Sequence, residues 1–502
     1  MPHNYLLLPL IVLPLATSLV LLAVPSRHAN VVRYIAAASG AALLGLTLYV
    51  FFAYQFGDGD SVIQFEGRWP WLENIGFLGA NGITLHLGVD GISAPMVLLN
   101  GIVAFTGVLI SWKIAYRIKD FFVLFFALVA GVFGTFISLD LFFFLFFYEL
   151  AVLPMFLLIG VWGASSRFPT FVRTKEYGAM KLTLYLVAAS VLIFVGIFAI
   201  FMRANIGTFD LPSLYGVQFS EGFQKALFPV FLIGCGVLAG LWPFHTWSPD
   251  GHVAAPTAVS MLHAGVLMKL GAFGIIRLGI QLLPAGAQFW MPGVMVLATT
   301  NVIYGAVSAM AQRDFKYMVG YSSVSHMGYV LMGLATLNPI GVNGAVLQMF
   351  SHGIMTALMF AMVGAIYDQA HVRDMSIFGG LANKMPRFTA FFAVAGLASL
   401  GLPGLSGFVA EFHIFVGTFQ TYPAFGALAI FGAAITAAYI LRMLAMAFFG
   451  PFNVRWSHLV EMTRWEQAAG AVLIFFLLFM GSWPAPFVDR ISHTVLTLAA
   501  LK

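Results

Sequence analysis

Residues 243–269, PFHTWSPDGHVAAPTAVSMLHAGVLMK, combine what a membrane helix needs with what an unbroken helix cannot contain. Strongly apolar sequence flanks the run on both sides, yet Pro243, Pro249, Asp250, Gly251 and Pro256 cannot all lie in one continuous helix. A helix broken at membrane depth frees backbone N–H and C=O groups. These are tolerated only where protein or a water-filled cavity satisfies them, so the break points to an ion or solute path. Lys269 strengthens that reading, because it lies well inside the following apolar stretch with no charge nearer than Arg277. A lysine at a helix centre costs roughly 2.5–3.5 kcal/mol even on the lenient insertion scale, so its presence points to function. The competing reading is a lysine that snorkels to the headgroups, for which its stem would have to climb ~12 Å.

The remaining sequence agrees with a membrane setting. Among 502 residues, 61% are hydrophobic and 9% charged, with a mean hydropathy of +0.95, which excludes soluble folds. At roughly 20 apolar residues per span, this length holds about fourteen helices. The apolar stretch 5–24 has no basic n-region and no cleavage pattern before Pro25, and reads as a retained first span. The single cysteine, Cys235, lies in an apolar span, which rules out an intrachain disulfide or a cysteine-held redox centre. A net charge of +5 spread over loops gives no sign of nucleic-acid binding.

The predicted fold is therefore an all-α polytopic membrane protein of about fourteen transmembrane helices. Lys and Arg sort by loop: loops after odd-numbered spans hold fifteen, from Arg27 to Arg464, and loops after even-numbered spans hold only Arg68, Arg203 and Lys225. This asymmetry places the odd loops, including 167–175, in the cytoplasm of a bacterial inner membrane, with both termini on the outer, periplasmic side. The long outer segment 57–89 is a candidate for a short hairpin. Two segments break the helical pattern alike, 243–257 in span seven and GLPGLSG at 401–407 in span twelve. They lie five spans apart, an odd number, so spans 4–8 and 9–13 form two five-helix repeats of inverted topology. The implied units are 1–112 (spans 1–3), 113–285 (first repeat), 286–450 (second repeat) and 451–502 (span 14).

Few ionisable groups fall at membrane depth: Glu149, Lys181, His263, Lys269, His326, His352 and Glu411. Acid, amine and imidazole groups in a low-dielectric medium take protonation states set by their neighbours, which is what a proton relay needs. Glu149, embedded in FFFLFFYELAVLPMF, fits a relay or an ion pair better than a purely structural role. For His245 and His252, beside the break, capping of freed backbone competes with proton uptake. No facing histidine pairs with a haem–copper ligand signature, no G-x-G-x-x-G after a strand and no C-x-x-C are present, so no cofactor or metal site is expected in this chain.

Five motifs carry a resemblance over nearly the whole chain: LGVDGIS at 87–93, YELAVLPMFLLIGVWG at 148–163, PFHTWSPDGHVAAPTAVSMLHAGVLMKLGAFG at 243–274, RDFKYMVGYSSVSHMGYV at 313–330 and GLPGLSGFVAEF at 401–412. The sequence resembles the antiporter-like subunits of respiratory complex I, most closely the subunit M group. The resemblance implies one proton path in this chain. NADH oxidation and quinone reduction, with FMN and iron–sulfur clusters, would lie in partner subunits, and L-, N- and K-like membrane-arm subunits and the lipid bilayer would surround it. It also implies roles for Glu149, Lys269, His326, His352 and Glu411 as the family's buried relay. One position departs: the family usually has a lysine seven residues before the histidine of PFHTW, and here it is Leu238. From that departure follows the expectation that Lys181 faces Glu149 in its stead. Alternatives are a subunit of an Mrp-type cation/proton antiporter or of a membrane-bound hydrogenase, a stand-alone solute transporter, and a spacer that has lost pumping.

Overall fold

Apolar runs interrupted by Gly, Pro and Asp give helices with short connections. The computed structural model describes residues 4–57, 59–79, 82–167 and 170–498. The chain opens with α1 (Leu8–Ala23) and α2 (Ala29–Ala53), then an antiparallel hairpin of β1 (Gln64–Leu72) and β2 (Ile83–Val89), which meets the expectation for the outer segment. There follow α3 (Ser93–Ile110), α4 (Ile118–Ile137), α5 (Leu141–Trp162), the two-residue strands β3 (Ser166–Arg167) and β4 (Val172–Arg173), α6 (Lys175–Ala204) and a short α7 (Leu211–Tyr215). The broken span seven is α8 (Glu221–Ala239) and α9 (Trp247–Ala254).

Span eight runs Thr257–Gln281 and is not a plain helix. Its α-helical pieces α10 (Thr257–Leu262) and α11 (Met268–Gly274) alternate with π-helical turns at His263–Leu267 and Ile275–Gln281. Such turns gather at functional sites because each displaces the side chains that follow it. The second half contains α12 (Pro284–Ala311), α13 (Phe315–Ala335), α14 (Pro339–Ala370), a short α15 (Leu381–Lys384), the broken pair α16 (Pro386–Ser399) and α17 (Ser406–Thr421), and α18 (Pro423–Phe448). It ends with α19 (Arg464–Ser482) and α20 (Ala485–Val495). Eleven helices among the described residues are long and apolar enough to cross a membrane, as a multi-pass protein requires. The chain ends, expected outside, lie beyond the described residues.

Two details differ from the sequence reading. The expected break over 243–257 is two interruptions, 240–246 and 255–256, with α9 between them, because Pro249 falls in the first turn of α9, where a missing N–H has no intrahelical partner to lose. The tail also forms a separate helix, α20, whose Arg490 donates to the carbonyl of Phe51 at 2.8 Å and lies over the Phe51 ring. Neighbours recur in order: α4 packs on α5, α5 on α6 and α6 on α8, as α12 packs on α13, α13 on α14 and α14 on α17. The helices Thr257–Gln281 and Pro339–Ala370 are buried along their whole apolar length, so what they carry sits in the protein interior and away from lipid.

A buried line of lysine, histidine and glutamate

The break before α9 is closed by side chains. Asn301 of α12 accepts from Trp242 N at 2.6 Å and donates to the carbonyl of Gly240 at 2.8 Å, and Trp247 Nε1 donates to the carbonyl of Val237. At the α9–α10 junction, Ser260 donates to the carbonyl of His252 and the Lys316 ammonium to that of Ala255 at 2.7 Å. The freed backbone of span seven is thus satisfied by protein, which lets a broken helix persist at this depth.

Lys269 does not snorkel. Its side chain is wholly buried, and its ammonium lies 2.7 Å from His352 Nδ1 while also bonding the carbonyl of Ala264. Two glycines permit that meeting: a Cβ on Gly353 would come within 2.6 Å of the carbonyl oxygen of Gly265, so the two helices approach only because both positions lack side chains. The His352 ring stacks on His326 with centroids 5.3 Å apart. His326 Nε2 shares a hydrogen bond with Ser399 Oγ at 3.1 Å, and its Nδ1 lies 3.1 Å from the Gln348 amide and 3.5 Å from Glu411 Oε1. Glu411 reaches inward beside Gly401, whose φ of +73° and bare Cα make the second break possible; a Cβ there would lie 2.7 Å from Glu411 Oε2. Lys269, His352, His326 and Glu411 therefore form one contiguous line across α11, α14, α13 and α17.

Towards the α9–α10 junction the line continues with aromatic contacts. The rings of His252 and His263 lie 4.1 Å apart, and Ser248 Oγ is 3.0 Å from His252 Nε2. Both nitrogens of His263 and of His245, and Nε2 of His352, are buried without a protein hydrogen-bond partner. Each leaves hydrogen-bonding capacity of the kind that water occupies in polar interiors. His245 packs against Tyr304, outside the line.

The expected pairing of Lys181 with Glu149 does not form. Lys181 Nζ lies 2.8 Å from Asp250 Oδ2, while Arg173 and the Tyr317 hydroxyl hold Oδ1 of the same carboxylate at 2.5 and 3.1 Å. Glu149 instead lines a lateral cavity of about 340 Å³ with Ser190, Val191 and Phe194. Ser190 lies nine residues beyond Lys181 on α6, about 14 Å along the axis. Counted from the ends that the β3–β4 connection joins, Trp162 and Lys175, Glu149 lies thirteen residues inside α5 and Lys181 six inside α6, which sets them about two turns apart. Among the described residues no ion pair joins Glu149 to any cation, and Leu238 is buried in apolar surroundings.

Sequence reasoning passed over three groups: Asp250 itself, read only as a helix breaker; Asn301, one polar residue in an apolar span; and the pair Asp90–Arg277, joined at 2.7 Å with both side chains almost wholly buried. The Asp90 signal was present in LGVDGIS, an acid flanked by glycines beside an apolar helix. No group of three or more His, Cys, Asp or Glu among the described residues could hold a metal ion.

Residues 138–436 match the family described as NADH:quinone oxidoreductase/Mrp antiporter, transmembrane. NADH-quinone oxidoreductase subunit M of Rhodobacter capsulatus is 37% identical over 428 residues, 82% of each chain. NAD(P)H-quinone oxidoreductase chain 4 1 of Synechococcus sp. (strain JA-3-3Ab) is 35% identical over 502 residues, 98% of this chain and 92% of the relative. Among solved structures, respiratory complex I from Thermus thermophilus contains a chain that superposes with a TM-score of 0.87 at 25% identity, covering 98% of this chain and 99% of that one. The Mrp complex from Dietzia sp. DQ12-45-1b gives 0.84 at 18% identity, covering 99% and 97%, which is a likeness of fold.

Proposed function

Since the chain belongs to the NADH:quinone oxidoreductase/Mrp antiporter transmembrane family, we propose that it is a proton-carrying membrane-arm subunit of a complex I-type NADH–quinone oxidoreductase. The observation that carries this reading is the contact of Lys269 with His352 in a core closed to lipid. An ammonium 2.7 Å from an imidazole nitrogen is one proton transfer from a neutral amine beside an imidazolium. Each positive charge disfavours the other, so the pair holds one mobile proton and passes it on when a neighbour changes charge. From His352 the proton is shared with His326 across the stacked rings through a bridging water, where Glu411 stabilises the imidazolium, and a change of charge at that end returns it to Lys269 for release.

Uptake fits the cavity of about 470 Å³ lined by Lys113, Lys316, Asp368 and His371, on the side that the loop charges assign to the cytoplasm. From Lys316 at its floor, Ser260, His252 and His263 lead towards Lys269. Glu149 belongs to the lateral face, where a neighbouring membrane-arm subunit of the L-, N- or K-like kind sets its charge, and Lys181 braces Asp250 below. The four units 1–112, 113–285, 286–450 and 451–502, with spans 4–8 and 9–13 inverted, remain our division of the chain, supported by the recurring neighbour order and the matching breaks. Fourteen spans, a bacterial inner membrane and both termini outside complete the reading, and the translocation is driven by redox chemistry in partner subunits.

Affinity purification of the tagged chain from native membranes tests this function. Recovery with flavin and iron–sulfur subunits and quinone-reductase activity is the expected result. Recovery with a set of small antiporter subunits and no redox centre would overturn it in favour of the Mrp alternative.

A further inference from the structure

A second polar string begins at the outer end of the helix bearing Lys269. Arg277 lies eight residues beyond Lys269, about 12 Å along the axis, and its guanidinium pairs with Asp90. Arg277 also donates to Gln281 Oε1 at 3.1 Å, and the Tyr215 hydroxyl donates to the same oxygen at 2.9 Å. Tyr215 is the last residue of α7, and Asp210 caps the first turn by accepting from Ser213 N. Asp210 Oδ1 lies 2.6 Å from His86 Nδ1, and on the other side of the ring Glu66 Oε2 lies 3.0 Å from Nε2. His86 is wholly buried, whereas the Glu66 side chain is 32% exposed at the hairpin surface. The groups thus run from the interior to the outer face in one direction.

A neutral imidazole carries one N–H and can donate to only one of two flanking carboxylates; the imidazolium donates to both. The clamp on His86 is therefore a binding site for one added proton. The other groups around it are the charged Arg68, 3.8 Å from Glu66 and 3.9 Å from Asp210, and the titratable Asp140, whose carboxyl is raised by burial to about 7 and which accepts from Thr84 N and pairs with Asp210 through the backbone. Burial alone would raise the Asp210 carboxyl, but its bonds to His86 and Ser213 and the charge of Arg68 outweigh that and hold it below the usual range, so it stays ionised beside the ring.

Resting on the reading of the chain as a proton carrier, we propose that His86, clamped between Asp210 and Glu66, is the proton-release residue of the outer face, fed from the Lys269 line past the Asp90–Arg277 pair. His86 takes up the arriving proton as imidazolium. It then gives a proton to the Glu66 carboxylate, which passes it to the outer water and returns to its anion. The alternative is a clamp that only staples the hairpin to α7; the pH response of the rim then belongs to Asp140, and His86→Gln leaves it in place.

The test uses the whole complex in proteoliposomes whose lumen contacts the outer face, with lumenal pH set between about 5 and 8, the window in which an imidazole changes charge. In an Asp140→Asn background, which removes the other rim carboxyl that changes charge in this window, NADH-driven pumping is expected to fall through one step as the lumen is acidified. His86→Gln should remove that step and slow pumping roughly tenfold, less than the hundredfold or more that loss of a positioned proton-transfer group costs in a chemical step. Glu66→Gln, at a half-exposed position, should shift the step without preventing assembly. An unaltered pH profile in His86→Gln overturns the proposal, and if that variant fails to assemble, an unaltered profile in Glu66→Gln does so. Lys269→Met separates the two levels: pumping retained there refutes the proton-carrier reading itself, whereas pumping lost there with an unaltered His86→Gln profile refutes only the release residue.

Discussion

Lys181 grips Asp250 and leaves Glu149 alone: its ammonium lies 2.8 Å from Asp250 Oδ2, and Arg173 holds the other oxygen. One carboxylate with two cations and a tyrosine hydroxyl is a brace between α6, α9 and α13, and it anchors the second half of the broken span.

Removing the carboxylate leaves two cations facing each other, whereas removing Lys181 leaves Arg173 and Tyr317 on Asp250. Breaking a buried pair from one side costs about 3–5 kcal/mol. Arg173 is 37% exposed and relaxes into water, so the lower end applies to Asp250→Ala. Asp250→Ala should reduce the yield of assembled complex sharply and Lys181→Ala only mildly, as measured by native gel densitometry. Because Lys181 and Glu149 share no partner, their effects on pumping should add to within about 0.5 kcal/mol in a double-mutant cycle.

Gly353 sets the spacing of the relay. A methyl group there would sit 2.6 Å from the carbonyl oxygen of Gly265, and neither backbone can yield without moving its helix. Gly353→Ala should cost about 1–3 kcal/mol by overpacking and slow pumping, while Gly160→Ala, where a Cβ meets nothing, should do neither. Thermal inactivation and pumping rate measured together check both arms.

At the outer rim, burial pushes the Asp140 carboxyl up to about 7 despite its three backbone N–H donors, Phe143, Thr84 and Phe142. A carboxyl raised above its unfolded value contributes stability that is fully present below that unfolded value, near 3.8, and lost as pH rises through about 7. Hydrogen exchange at residues 83–89 should therefore speed up between pH 5 and 8 by more than the intrinsic pH effect. Asp140→Asn keeps a good N-cap without the charge, and should remove that excess.

Much of this was legible in the sequence because the bilayer leaves few options. Apolar runs became helices, GLPGLSG became a break, and the isolated charges Lys269 and Glu411 pointed inward because lipid offers them nothing. His352 and His326 found partners for the same reason. What stayed hidden depends on offsets between helices. The depths of Glu149 and Lys181 can be compared only when both are counted from the connected ends of α5 and α6, Trp162 and Lys175, where they differ by seven residues. The π-helical turns around Lys269 have no composition signal, and the clamp on His86 joins residues 20 and 124 positions apart. Asn301 was invisible because its role is defined by carbonyl and amide groups of another span.

The relay from Lys269 to His352 is the central claim, and Lys269→Met tests it most directly by removing the ammonium while keeping the apolar stem. In proteoliposomes of the whole complex, NADH oxidation by ferricyanide should be unchanged, because it bypasses the membrane arm. Quinone-coupled pumping should collapse, with the number of protons moved per NADH reduced in whatever turnover remains. An unaltered number of protons per NADH at an unaltered rate of quinone reduction would contradict the relay.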